Sequence, residues 1–147
     1  MDQSPIEHDY ALVCPPEQAF ATFTERIGEW WPAGYSPDPG ALKDTTIEPG
    51  VGGRVYFTVD SVGEMPWGAV AVWEPGRRVT FTSTLAQSRQ HPSEVDVVFE
   101  PADGGCVMRF RHGGWNEGNA ADRHKFTDWG LILDRFAALC PPGPREP

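Results

Sequence analysis

The sequence predicts an α+β fold in which a meander of antiparallel strands is covered on one face by a long C-terminal helix. Three observations predict it. Between residues 45 and 112, β-rich stretches alternate with turn signals at EPGVGG (48–53), around Gly63, and at EPGR (74–77), SRQHPS (88–93) and PADGG (101–105). The stretch 93–112 sorts its charged and apolar residues onto opposite faces when it is folded as a hairpin. Residues 119–140 carry Phe126, Trp129, Leu133, Phe136 and Cys140 as one helical stripe, broadened by Ile132 and Leu139.

In chain order, IEHDYALV (6–13) has β character, and Pro15 and Pro16 pre-set the first turn of a helix. In that helix Phe20, Phe23 and Ile27 recur at i, i+3 and i+7, and Gly28 is read as its stop. GEWWP (28–32) then makes one short helical turn, and Pro37, Pro39 and Gly40 make a loop. Two adjacent indoles carry more apolar area than this short segment can hide, so Trp30 and Trp31 need cover from elsewhere in the chain.

About six strands follow. Alternation puts Val55, Phe57 and Val59 on one face, and Val70, Val72, Val79 and Phe81 on one face. Trp67 and Trp73 have the opposite parity, which turns them outward unless a bulge intervenes, with Trp73 across from Arg78 as a cation–π contact. For the last hairpin, a four-residue PADG connection sets Glu100 opposite Gly105. Glu94 then faces Arg111, Asp96 faces Arg109 and Val98 faces Val107, while Val95, Val97 and Phe99 face Phe110, Met108 and Cys106 on the dry side. Asn119 reads as the N-cap of a terminal helix of about 20 residues, about 30 Å long, that Pro141 and Pro142 end.

Composition excludes several classes of function. With 147 residues the chain is expected to form one domain, residues 1–147, and to bury roughly two thirds of its unfolded surface. The net charge of −9, from 12 Lys and Arg against 21 Asp and Glu, disfavours nucleic acid and anionic membrane surfaces. The N-terminal MDQSPIEHDY is acidic and has no apolar run, and Leu131–Leu133 is the longest aliphatic run near the other end. Neither a signal peptide nor a membrane span is expected. Cys14, Cys106 and Cys140 are odd in number and lack CxxC spacing, which fits a reduced, cytoplasmic protein.

Five stretches, CPPEQAFATFTERIGEWWP, IEPGVGGRVYF, WGAVAVWEPGRRVTFTSTL, SEVDVVFEPADGGCVMRFRHGGW and WGLILDRFAAL, resemble in order the START-like (SRPBCC) superfamily. Within it they are similar to the branch of the Hsp90 ATPase activator C-terminal domain. The resemblance implies a helix-grip fold: a curved seven-stranded antiparallel sheet wrapped round a long C-terminal helix, two short helices after the first strand, and an apolar cavity between sheet and helix. It also implies that Trp30 and Trp31 occupy this branch's tryptophan pair, Gly52 and Gly53 a turn, and His112 a histidine near the end of the last strand. The superfamily shares a cavity and no single reaction, its members ranging from lipid carriage through polyketide cyclisation to co-chaperone contact.

The function expected is binding of a small apolar or amphipathic molecule in that cavity. The expected walls are Phe57, Val70, Phe81, Val97, Met108 and Phe110 from the sheet, with Trp129 and Leu133 from the terminal helix. His112, on the dry face, is the candidate polar handle, its alternative being a histidine satisfied by a backbone carbonyl. Trp30 and Trp31 sit near the rim. Trp115, in the glycine-containing RHGGW (111–115), is either a lid over the cavity or a residue of a plain loop packed on the surface. No cofactor and no metal are expected. GVGG is a turn and not a nucleotide loop, GxSxG is absent, and His124 and Asp128 at i, i+4 read as a surface ion pair. Cys106 and His112, six residues apart on one strand, are about 20 Å apart and cannot pair as nucleophile and base. Two alternatives stay open: a cyclase or dehydratase using His112 as acid or base in the same cavity, and a protein-interaction module like the Hsp90 activator domain.

Overall fold

The computed structural model describes residues 2–140. Seven strands form one antiparallel sheet: β1 (Ile6–Leu12), β2 (Leu42–Ile47), β3 (Arg54–Val59), β4 (Gly63–Glu74), β5 (Arg78–Ser83), β6 (Ser93–Ala102) and β7 (Gly105–Gly113). Their order across the sheet is β1-β7-β6-β5-β4-β3-β2. The last six are a meander, as the spacing of turn signals predicts, and the first strand returns to pair with the last, Leu12 opposite Cys106 and Ile6 opposite His112. Two short helices, α1 (Pro16–Glu25) and α2 (Ile27–Trp30), follow β1, and α3 (Trp129–Leu139) lies on the sheet's apolar side. This is the curved helix-grip arrangement.

Helix α1 starts with Pro16 in its first turn and buries Phe20 and Phe23. Gly28 is not its stop: α1 ends at Glu25, and Gly28 lies inside α2. There it permits close approach to β2, since a Cβ would come 3.2 Å from the Thr45 carbonyl oxygen and would collide with the Asp44 carboxylate. Pro32 then breaks the helix. Trp30 is buried between Phe23 of α1 and Phe136 of α3, ring centroids 4.9 and 5.7 Å away, and its Nε1–H donates to the Thr22 carbonyl. Arg135 of α3 in turn donates to the Trp30 carbonyl, tying α2 to α3.

The last hairpin has the predicted faces and a different register. Ala102 pairs with Gly105 across a two-residue Asp103-Gly104 turn, so Asp96 lies opposite Arg111, Val98 opposite Arg109 and Glu94 opposite Gly113. Gly104, at φ +81°, supplies the left-handed backbone that a tight turn requires. The two-residue difference from the PADG count preserves side-chain parity, so Val95, Val97, Phe99, Cys106, Met108 and Phe110 are all buried. The ion pairs change partners: Asp96 binds Arg78 of β5, Arg109 binds Glu100 and Asp9, and Arg111 binds Glu7.

Two bulges in β4 overturn the outward reading of Trp67 and Trp73. Pairing with β3 passes from Val55–Gly68 to Tyr56–Pro66 and skips Trp67; pairing with β5 passes from Val70–Phe81 to Val72–Thr80 and skips Ala71. Each extra residue reverses parity. Trp67 is therefore buried against Trp31, Phe57 and Phe81. Trp73 lies opposite Val79 instead of Arg78 and packs edge-on against Phe20 at 5.0 Å. Val72 leaves the buried face and is only half-buried.

The terminal segment is not one helix of about 20 residues. A 3₁₀ helix (Ala120–Phe126) precedes α3, with Thr127 and Asp128 between them. The predicted stripe of Phe126, Trp129, Leu133, Phe136 and Cys140 is buried, but it spans the break, and within the 3₁₀ helix, where residues three apart eclipse, Ala120 and Phe126 turn inward together. Asn119 makes no side-chain cap. Its amide instead accepts from the Asn116 N–H and donates to the carbonyls of His91 and Gly114, drawing two loops together in the interior. Pro141 and Pro142, read as the helix stop, lie outside the described residues.

Candidate functional site

The space between the sheet and α3 is filled by side chains. Phe23, Trp30, Phe99, Phe110, Met108, Leu133 and Phe136 are all at most 2% exposed. Open volume occurs at one end, where the terminal helical segment changes winding. A cleft of about 420 Å³ lies there, walled by Trp31, Tyr35 and Pro37 from the segment after α2, by Leu85 and Ala86 from the turn after β5, and by Phe126, Trp129 and Ile132 around the helix break. Other surface hollows of similar volume, such as the one bordered by Arg78, Glu94, Asp96 and Arg111, are walled by charged side chains. The aromatic cleft is thus the site whose chemistry suits an apolar guest.

Local sequence explains each wall. Pro32 stops α2 and starts a 3₁₀ turn, Ala33–Tyr35, which holds Trp31 at the elbow. Trp31 packs at tilted angles against Phe57 and Trp67 and edge-on against Trp129, and its Nε1–H reaches the Tyr35 carbonyl at a long 3.4 Å. Two polar contacts bridge the cleft's rim. The Tyr35 hydroxyl donates to Asp128 at 2.8 Å, and that carboxylate holds the phenol above its ordinary range. Lys125 donates to the Ala86 carbonyl at 2.8 Å and to Asp122 at 2.7 Å. Ala86 takes up the left-handed region, φ +54°, which costs a residue with a Cβ about 1–2 kcal/mol.

Beneath the cleft sits His112, wholly buried and enclosed by Trp115, Phe126 and Trp129. The Trp129 Nε1–H donates to Nδ1 at 3.0 Å. Nδ1 is therefore the unprotonated nitrogen, and Nε2–H donates to Ser93 Oγ at 2.7 Å. The Ser93 hydroxyl in turn donates to Gln87 Oε1 at 2.8 Å. Burial, reinforced by the charge of Arg123, pushes the imidazole down to about 3. His112 is a neutral strut between sheet and helical segment, with both ring nitrogens engaged.

Of the residues expected at the site, Trp31 and Trp129 line the cleft. Trp30, Phe57, Val70, Phe81, Val97, Met108, Phe110, His112 and Leu133 lie in the packed interior behind it. Trp115 is buried too, its Nε1–H donating to the His112 carbonyl at 3.0 Å. His124 and Asp128 do not pair: His124 Nδ1 meets the Ala121 carbonyl, while Asp128 takes the Tyr35 hydroxyl. Sequence reasoning missed Tyr35, Pro37, Leu85, Ala86, Lys125 and Asp128 as neighbours. Their signal was weak because loop residues follow no period, and an alanine announces no left-handed turn.

Residues 13–140 match the family described as Activator of Hsp90 ATPase homolog 1-like protein. No curated protein sequence matches the chain. Solved structures similar to it include protein NE0264 from Nitrosomonas europaea (16% identity, 95% of this chain and 96% of that one, TM-score 0.69) and the Aha1 dimer from Colwellia psychrerythraea (19%, 92% and 95%, 0.65). The anthrahydroquino-gamma-pyrone synthase Txn09, solved in complex with a ligand designated SUM, is also similar (25%, 94% and 99%, 0.65). The first two likenesses concern the fold. Among the described residues no helix is long and apolar enough to cross a membrane.

Proposed function

Because this chain belongs to the Activator of Hsp90 ATPase homolog 1-like family, whose fold serves ligand binding, catalysis and protein contact alike, we propose that it binds a small apolar or amphipathic molecule in the cleft beside Trp31 and Trp129. The observation that carries this reading is the cleft itself, with four aromatic walls (Trp31, Tyr35, Phe126 and Trp129) and a rim bearing Lys125 and Asp128. The rings supply buried carbon area, worth about 25 cal/mol per Å² before association costs, and the rim orients a polar end. The volume suits a molecule of two or three fused rings.

The amphipathic fluorophore 1-anilinonaphthalene-8-sulfonate tests the reading. Its emission should rise saturably at one molecule per chain, and Ile132→Trp, which places an indole at the cleft wall, should abolish the rise while the protein still unfolds in one cooperative transition. Equal emission from both proteins would refute it.

A second reading, a cyclase-type enzyme, draws on the likeness to the synthase Txn09. His112 has no free nitrogen to serve it. The polar pair bordering the cleft is Tyr35 and Asp128, so Tyr35→Phe should abolish any turnover found while retaining binding of the fluorophore. The third reading, contact with an Hsp90-type chaperone, predicts co-purification in a pull-down that Ile132→Trp leaves intact.

A further inference from the structure

Among the described residues, Trp67 Nε1 is the one buried side-chain nitrogen or oxygen without a hydrogen-bond partner. The contrast with its fellows is sharp. Trp30, Trp31, Trp115 and Trp129 each donate to a carbonyl or to the imidazole. Trp67 is 6% exposed and surrounded by the rings of Trp31, Phe57 and Phe81, none of which offers a lone pair in its plane. A buried donor left so forfeits the hydrogen bond it would make in water, and native structures seldom tolerate that without a purpose.

Its place in the fold connects it to the cleft. Trp31, which walls the cleft, is also the ring that covers Trp67, centroid to centroid 5.5 Å. On the other side the Trp67 carbonyl accepts from the Thr84 backbone N–H at 2.8 Å, and the next residue, Leu85, is the opposite wall. Trp67 is therefore the layer immediately behind the seam between Trp31 and Leu85. Trp31 is the side of that seam that a guest would have to displace to reach Trp67. The one hydrogen bond of its indole is the 3.4 Å contact to the Tyr35 carbonyl, and the Tyr35 side chain is in turn held at the surface by Asp128.

Resting on the cleft-binding reading above, we infer that the Trp67 indole N–H is the hydrogen-bond anchor of the site, reached when a guest displaces Trp31, and that the guest carries an uncharged oxygen acceptor, such as a ketone carbonyl, at its buried end. A carboxylate is the wrong partner there, because one neutral donor among aromatic rings cannot replace the hydration of a charge. The guest is thus a largely apolar molecule whose single acceptor leads and whose polar substituents trail toward Lys125 and Asp128 at the rim.

The test compares 2-acetylnaphthalene with 2-ethylnaphthalene, near-isosteres that differ in the carbonyl, by following the six indole N–H signals of 15N-labelled protein. The carbonyl probe should move the Trp67 signal to lower field and bind about tenfold more tightly than the hydrocarbon, as expected when a buried donor gains its partner. Trp67→Phe should level the two affinities. If both probes shift Trp31 and Trp129 with Trp67 unmoved, or if Trp67→Phe keeps the preference, the anchor is refuted and cleft binding stands. If neither probe shifts Trp31, Trp67 or Trp129, both readings fall. The shift is read on the wild-type protein, so the outcome does not depend on the variant's folding.

Discussion

The Nε1–H of Trp129 donates to Nδ1 of His112 across 3.0 Å in the buried interior, joining the first residue of α3 to the C-terminal end of β7. This bond fixes the imidazole's tautomer, and through it the position of an indole that is also a wall of the cleft. The histidine that looks like a ligand handle in the sequence acts one layer back, as the support of the wall.

Its charge state makes stability depend on acidity. The unfolded chain's histidine takes up a proton near pH 6.5, whereas the folded one resists until about pH 3. Below pH 6.5 the unfolded state therefore binds the extra proton, and stability falls as pH falls, by up to about 1.4 kcal/mol per unit. Urea unfolding between pH 7 and 5 should show about 2 kcal/mol of loss from this group. His112→Gln should remove that part of the slope, and an unchanged slope would contradict the assignment.

Ser93→Ala should leave the Nε2–H of His112 without its acceptor and destabilise the protein by about 1–3 kcal/mol, far more than loss of a surface hydroxyl. A double-mutant cycle with Trp129→Phe should show coupling, since both act on one ring; additive losses would place the two bonds in separate networks.

Gly68→Ala tests the bulge that turns Trp67 inward. A Cβ at this position would collide with the Thr82 carbonyl oxygen on the neighbouring strand, so the strands must separate locally. The expected cost is about 1–3 kcal/mol, read from chemical denaturation, together with a changed Trp67 indole signal. A neutral substitution would show that β4 does not approach β5 this closely.

Tyr35→Phe removes the rim bond to Asp128 without emptying the cleft. Because the hydroxyl and the carboxylate meet at the surface, stability should change little. The titration of the phenol, held above its ordinary range by the carboxylate, should return toward normal in Asp128→Asn. An unshifted titration in Asp128→Asn would separate the two residues.

The sheet was legible because strand periodicity and turn glycines are local signals. Val55, Phe57 and Val59 face inward as alternation requires, and the hairpin's faces survived a misjudged turn because an error of two residues conserves parity. Trp67 was misplaced because a bulge is an odd insertion, and nothing in WGAVAVW marks where it falls. The terminal helix is shorter than its stripe suggests because residues 120–126 take a three-residue winding that residue type does not announce. The cleft was the least legible part. Its walls at Tyr35, Leu85 and Ala86 come from connections whose conformation is set by tertiary contacts, the Lys125 bond to the Ala86 carbonyl among them.

Native mass spectrometry of the protein purified from its own host tests the central claim most directly. The account predicts a population heavier than the bare chain by one small organic molecule, absent from Ile132→Trp prepared in the same way. Identical masses at the bare-chain value for both proteins, with no mass gained on adding 2-acetylnaphthalene, would contradict it.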